Sequence, residues 1–241
     1  SPPYLDPTSA REIFGPPSAV IAGSGAPEGR AELVAGGYRV TGRWRYASGA
    51  TYASTFTANC IVTRAGAPVL DADGRPLIRA MAFTREDVNV VETWGATGLR
   101  GTASHDFAVE NVFVPEPRTF SVFADRPRET GSLYRLPFQV LTELPVAAVA
   151  LGISRHFLDA FADLAASKPI TAGGGALADD TTARAAFGRA HAAWRLAKSA
   201  VSAIAERAWQ SAEARAELAA AQRADITTAC AYAFASLRET T

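Results

Sequence analysis

Apolar and polar positions follow two different rhythms along this chain, and the change falls near its middle. Between residues 17 and 135 the apolar runs are short, often alternating, and broken by glycine and proline. Residues 18–24 form one such run. Residues 30–35 and 38–44 flank Gly36 and Gly37, a pair suited to a two-residue hairpin turn. Residues 56–64 (FTANCIVTR) are rich in β-branched and aromatic side chains, and residues 77–84 follow a second turn, DADGRP at 71–76. Residues 88–93 and 107–114 continue the series, the last with Phe107, Val109, Asn111 and Phe113 at every second position. Short strands at even spacing with this punctuation predict a barrel or sandwich. Residues 1–16, polar and proline-rich, read as a tail ahead of it.

From residue 136 alanine, leucine, arginine and glutamate take over. Residues 144–166 are apolar on nearly every side, the pattern of a buried helix, with Pro145 in its first turn. KPITAGGGALADD (168–180) reads as a loop, and Asp179, Asp180 and Thr181 as caps for the next helix. That helix sets Phe187, Trp194, Val201, Ile204 and Ala208 on one stripe. Alanine-rich residues 212–237 predict at least one more helix, with no glycine or proline to mark its start. The class is α+β: a β domain over 17–135, then a helical bundle over 136–241.

A length of 241 residues at 48% hydrophobic content suffices for one large core or two smaller ones. The 24 basic and 24 acidic residues balance, so no electrostatic argument favours nucleic acid or an anionic membrane. Cys60 and Cys230 stand far apart, outside any metal or redox spacing, which reads as a reduced cytoplasmic setting. The longest apolar stretch, 144–153, is about half of what a bilayer span needs, and the polar N-terminus does not read as a signal peptide. GSGAPEG (23–29) misplaces the third glycine of a dinucleotide loop and puts Pro27 where a helix would start. There is no GxSxG elbow, and His105, His156 and His191 lack metal-ligand spacing, so no metal site is expected.

Two segments carry more specific information: GGYRVTGRWRYASG (36–49) and ETWGATGLRGTASHDFAVENVFVPEPRTF (92–120). In their order and separation, followed by helices, they resemble the acyl-CoA dehydrogenase superfamily, over residues 18–237. The resemblance implies a middle β-barrel domain that binds flavin, FMN or FAD, and a C-terminal α-helical bundle. Trp44 and Tyr46 alternate with Arg45 on a strand and so share a face, with Ser48 next along it. Without the resemblance, Trp44 and Tyr46 read as barrel core and Ser48 as a turn residue. With it, Tyr46 flanks the flavin ring, the Ser48 hydroxyl reaches N5, and Trp44 is a further contact. Gly98 and Gly101 bracket Leu99 and Arg100 and permit a tight turn. Arg100 suits a flavin carbonyl or phosphate, or else lies at the surface or ties the β domain to the helices. Ser24 matches a region where the family touches flavin and substrate, although VIAGSGAPEG (20–29) departs from the dehydrogenase pattern.

AASKPITAGGG (165–175) stands where the dehydrogenases carry Arg-x-x-Phe-Gly. With WRYASG (44–49), it resembles instead the two-component flavin monooxygenases. That branch implies a separate reductase supplying reduced flavin, O2 as co-substrate, and one oxygen passed to a small organic molecule, with Ser48 catalytic through the N5 hydrogen. The alternatives are an FAD-dependent acyl-CoA dehydrogenase or oxidase acting on a CH–CH bond of a thioester, and a non-catalytic assembly module. The family is usually a homotetramer joined through its helices. Its N-terminal helical domain and last helices have no counterpart here, so the chain is expected to be truncated.

Overall fold

The computed structural model describes residues 2–170 and 175–238. Residues 171–174, in the loop expected over 168–180, lie outside the described residues. Two compact units divide at Glu129 and Thr130, somewhat ahead of the expected boundary at 136.

The first unit opens with a helix, α1 (Pro7–Phe14), where a tail was expected. The Asp6 carboxylate accepts from the amides of Thr8 and Ser9, and Pro7 follows at the first helical position. Leu5 and Ile13 then bury against Ala80, Ala82 and Phe120, so the segment has both a cap and a core.

Eight strands follow: β1 (Ile21–Val34), β2 (Gly37–Ala47), β3 (Thr55–Arg64), β4 (Ala67–Pro68), β5 (Ile78–Thr84), β6 (Asn89–Val91), β7 (His105–Pro115) and β8 (Thr119–Phe120). They make one mixed sheet in the order β6-β7-β2-β1-β3-β5-β8, with β4 on β3. β1 joins the two expected strands at 18–24 and 30–35 into one. Its parallel ladder with β3 shifts between Ser24 and Gly29, where residues 25–28 stand against Asn59 alone and the Asn59 amide donates to the Gly25 carbonyl (2.8 Å). The β1–β2 hairpin turns through Ala35 and Gly36, not Gly36 and Gly37, because Gly36 holds the positive φ (79°) and Gly37 already pairs with Val34.

The ladder ends at β6 and β8 and does not close as the barrel expectation required. The sheet nevertheless curls, and Trp44 shows it. From β2 its indole stacks on Phe107 of the neighbouring β7 (5.1 Å) and reaches Phe83 of β5 (5.9 Å), three places along the sheet. Its Nε1 donates to the Asn59 carbonyl (2.9 Å). Gly29 and Gly42 leave the room it fills, since a Cβ on either would sit 2.1 or 2.6 Å from the indole ring.

The second unit contains α2 (Phe138–Ser167), α3 (Thr181–Glu213) and α4 (Ala220–Arg238). α2 starts ahead of residue 144, with Pro137 at its N-cap, so Pro145 is interior and not in the first turn. Pro145 has no amide to offer the Leu141 carbonyl. By length and composition α2 could cross a bilayer, which the 144–153 stretch alone did not suggest. In this unit it buries one stripe (Val140, Ala147, Ser154, Leu158, Ala165) and leaves Val146, Val149, Ile153 and Phe157 exposed. The helix expected to be buried all round is therefore half-covered. Asp180 caps α3, accepting from the Ala183 amide (2.8 Å), and Val201, Ile204 and Ala208 are buried on its stripe. Ala212 still belongs to α3. The chain leaves that helix through Arg215, at φ 57°, before α4 begins.

Candidate functional site

The exit of β2 and the entry of β7 meet in a strained corner. Trp44 pairs with Phe107 and Ala47 with His105, so Arg45 and Tyr46 stand against Asp106 alone. This extra residue is a bulge, and Tyr46 absorbs it by taking the left-handed φ of 63°. Trp44 and Tyr46, expected on one face, therefore lie on opposite ones: Trp44 is fully buried and Tyr46 is 66% exposed. Trp44 is a core residue here, with no surface to offer a flavin. Leu99 (φ 55°) and Ala103 (φ 44°) are also left-handed, so three non-glycine residues hold a costly conformation around one corner. Gly49 (φ 82°) clamps it, its amide donating to the Thr102 carbonyl (2.7 Å).

A row of hydroxyls runs through the corner. Ser48 Oγ lies 2.8 Å from Ser104 Oγ, and Ser104 Oγ lies 2.7 Å from Thr102 Oγ1. Thr102 Oγ1 donates to the Leu99 carbonyl (2.9 Å), which also accepts from Trp94 Nε1 (3.1 Å) and the Thr102 amide (3.1 Å). Ser48 is exposed at the outer end, Thr102 is half-buried and Ser104 is buried. Beside Ser48, the ring of Tyr46 meets that of Trp94 edge-on (6.3 Å, 84°), and the Arg45 guanidinium lies over Tyr46 (6.0 Å) while pairing with Glu28 (3.2 Å).

The corner is braced from behind. His105 Nδ1 accepts from the amides of Thr93 and Trp94 (3.1 Å each) and so anchors the turn that carries them. Asp106 accepts from Arg43 through Nε (3.1 Å) and Nη2 (2.7 Å) and from Thr93 Oγ1 (2.9 Å). Burial alone would raise this carboxyl. The hydrogen bonds from Arg43 and Thr93, with the charges of Arg43 and Arg45, outweigh it and hold the group below the usual carboxylate range.

The structure thus brings Tyr46 and Ser48 together with residues 94–104. Arg100 is exposed in the short helical turn at Arg100–Thr102, within the same segment. Ser24 is half-buried on β1 opposite Ala58 and makes none of these bonds. Thr102, Ser104 and Trp94 were not expected at the site. The signal was present as two hydroxyls, two residues apart, just after Gly101.

Comparison with known proteins places these features. A family model for the acyl-CoA dehydrogenase C-terminal domain matches residues 144–241. An indole-3-acetate monooxygenase from Pseudomonas putida is 34% identical over 200 residues, covering 83% of this chain and 49% of its own. The chain belongs to the acyl-CoA dehydrogenase superfamily. The oxygenase subunit HsaA of a flavin-dependent monooxygenase from Rhodococcus jostii is 32% identical over 188 residues, 73% of this chain and 47% of its own. Among solved structures, XiaF from Streptomyces sp., in complex with FADH2 and glycerol, matches with a TM-score of 0.84 over 98% of this chain and 60% of its own, at 24% identity, which shows a shared fold. Within the superfamily the likeness is to monooxygenases, and the chain spans about half the length of the curated relatives it matches.

For a member of this superfamily the corner is chemically apt for a flavin. An isoalloxazine ring needs a flat apolar wall and a few fixed polar groups at its edges. The exposed Tyr46 beside Trp94 offers the wall, Ser48 a braced hydroxyl, and Arg100 an exposed cation.

Proposed function

We propose that the protein is a flavin-dependent monooxygenase that takes reduced flavin from a separate reductase and uses O2 to oxygenate a small organic substrate. The observation that carries this reading is the Ser48 hydroxyl, exposed beside Tyr46 and Trp94 and tied inward to Ser104. Bound reduced flavin supplies the electrons and the site at which O2 is activated. The protein's own part is to hold the ring and keep water from it. Ser48 would hold the N5 hydrogen, Tyr46 and Trp94 would wall one side, and Arg100 would meet a carbonyl or phosphate. Ser24 would touch flavin or substrate, while Trp44, buried in the core, would make no flavin contact.

Indole-3-acetate, named for the Pseudomonas relative, makes small aromatic acids the first substrates to try. Exposed apolar residues on α2 and α3 (Val149, Ile153, Leu196, Trp209) support assembly through the helices, as in a homotetramer. Two free thiols, Cys60 and Cys230, buried in separate clusters, support a reducing cytoplasm.

Anaerobic titration with reduced and oxidised FMN and FAD tests the reading. Reduced flavin should bind more tightly, and Ser48→Ala should weaken it by about 1 kcal/mol. Equal or tighter binding of oxidised FAD would point instead to an acyl-CoA dehydrogenase or oxidase. No binding of any flavin would point to an assembly module.

A further inference from the structure

Counting protons along the hydroxyl row shows which way Ser48 faces. A carbonyl oxygen can only accept, so Thr102 must spend its single hydroxyl proton on Leu99. In the 2.7 Å contact with Ser104, Thr102 is then the acceptor and Ser104 the donor. Ser104 has no second proton, so in the 2.8 Å contact with Ser48 it accepts and Ser48 donates. The Ser48 proton is committed inward, and its outward side carries lone pairs only.

We infer that Ser104 and Thr102 are positioning residues which turn Ser48 into a fixed hydrogen-bond acceptor, and that this makes the site select reduced over oxidised flavin. The inference rests on the proposed placement of Ser48 at N5. Reduced flavin carries a hydrogen on N5 and can donate to that acceptor. Oxidised N5 bears a lone pair and no hydrogen, so it would face a second acceptor. An unmade hydrogen bond between desolvated groups is costly, whereas a made one is modestly favourable. A serine free to rotate would serve both states and choose between them weakly. Here the 2.8 Å bond to the buried Ser104 holds the Ser48 proton inward.

The experiment measures dissociation constants of oxidised and reduced FMN and FAD, under nitrogen, for the full-length protein and three variants. Ser104→Ala removes the acceptor for the Ser48 proton, which can then swing outward. Thr102→Val frees the Ser104 proton to point at Ser48, with the same result and an unchanged side-chain shape. In each, the ratio of oxidised to reduced dissociation constants should fall about tenfold, which is about 1.4 kcal/mol. Ser104→Thr keeps a hydroxyl that can both donate and accept, and should keep the wild-type ratio. A purely structural role would weaken both flavin states alike; an unmoved ratio in Ser104→Ala and Thr102→Val overturns the inference while the flavin reading stands. Should Ser104→Ala fail to fold, the isosteric Thr102→Val decides alone. Wild-type protein that binds neither state overturns the flavin reading, and this inference with it.

Discussion

Replacing Gly42 with alanine asks whether Trp44 is held in the core or is free to face a ligand. The new Cβ would lie 2.6 Å from Trp44 Cη2, 2.8 Å from Cζ2 and 2.7 Å from the Gly29 Cα. Non-bonded carbons rest about 3.5–4.0 Å apart, so something must move by about an ångström. The indole has nowhere to go: Phe107 stacks on it, Phe83 closes one side, and retreat would break the bond from Nε1 to Asn59. Overpacking a filled core costs about 1–3 kcal/mol, and with backbone on the far side the upper end applies. For a unit of this size each kcal/mol lowers the melting temperature by roughly 4 °C, so the loss should be about 10 °C. Circular dichroism would follow the melt. Gly25→Ala serves as the control, because nothing lies within 4 Å of its added methyl. A Gly42→Ala protein melting within a degree of the control would mean that Trp44 can leave its seat, and the core assignment would be wrong.

Other expectations follow from the buried and charged groups. Burial pushes the Cys60 thiol up to about 12, and burial with the nearby Glu143 carboxylate raises Cys230. A thiol reagent at pH 8 should therefore label neither within minutes and both in denaturant, and fast labelling of native protein would contradict this. Asp106 is held below its ordinary value, so it contributes stability above the usual carboxylate range that is lost as pH falls through its folded value. Asp106→Asn should lower stability at pH 7 by roughly 1 kcal/mol and flatten the dependence below about pH 4. Parallel acid-unfolding curves for the two proteins would exclude that linkage.

Much of the fold was legible because alternation and turn chemistry are local. The alternation around Phe107 marked β7, the 71–76 turn marked the approach to β5, and Asp180 marked the start of α3. What escaped detection depends on residues that break local rules. Tyr46, Leu99, Ala103 and Arg215 adopt left-handed φ without being glycine, and nothing in their identity announces it. That one dihedral at Tyr46 separates it from Trp44, so strict alternation gave the wrong face for a residue it had singled out. Arg215 hid the break between α3 and α4 in the same way. Pro145 misled in the opposite sense, since a proline in a helix usually marks its first turn. The likeness of 36–49 and 92–120 to a family located the corner, but only the structure could show Ser104 hydrogen-bonded to both Ser48 and Thr102.

The sheet's open ends bear on how the protein avoids its own kind. A strand at a sheet edge offers unpaired amides and carbonyls to any passing strand. Here β1 and β2, with 14 and 11 residues, lie inside the sheet, while the path ends on β6 and β8, with three and two. A foreign strand pairing with β6 or β8 themselves would find only one or two bonds to make. The brevity of those two strands limits edge-to-edge polymerisation through them, and a change that lengthened β8 would weaken that guard even if it left the corner around Ser48 untouched.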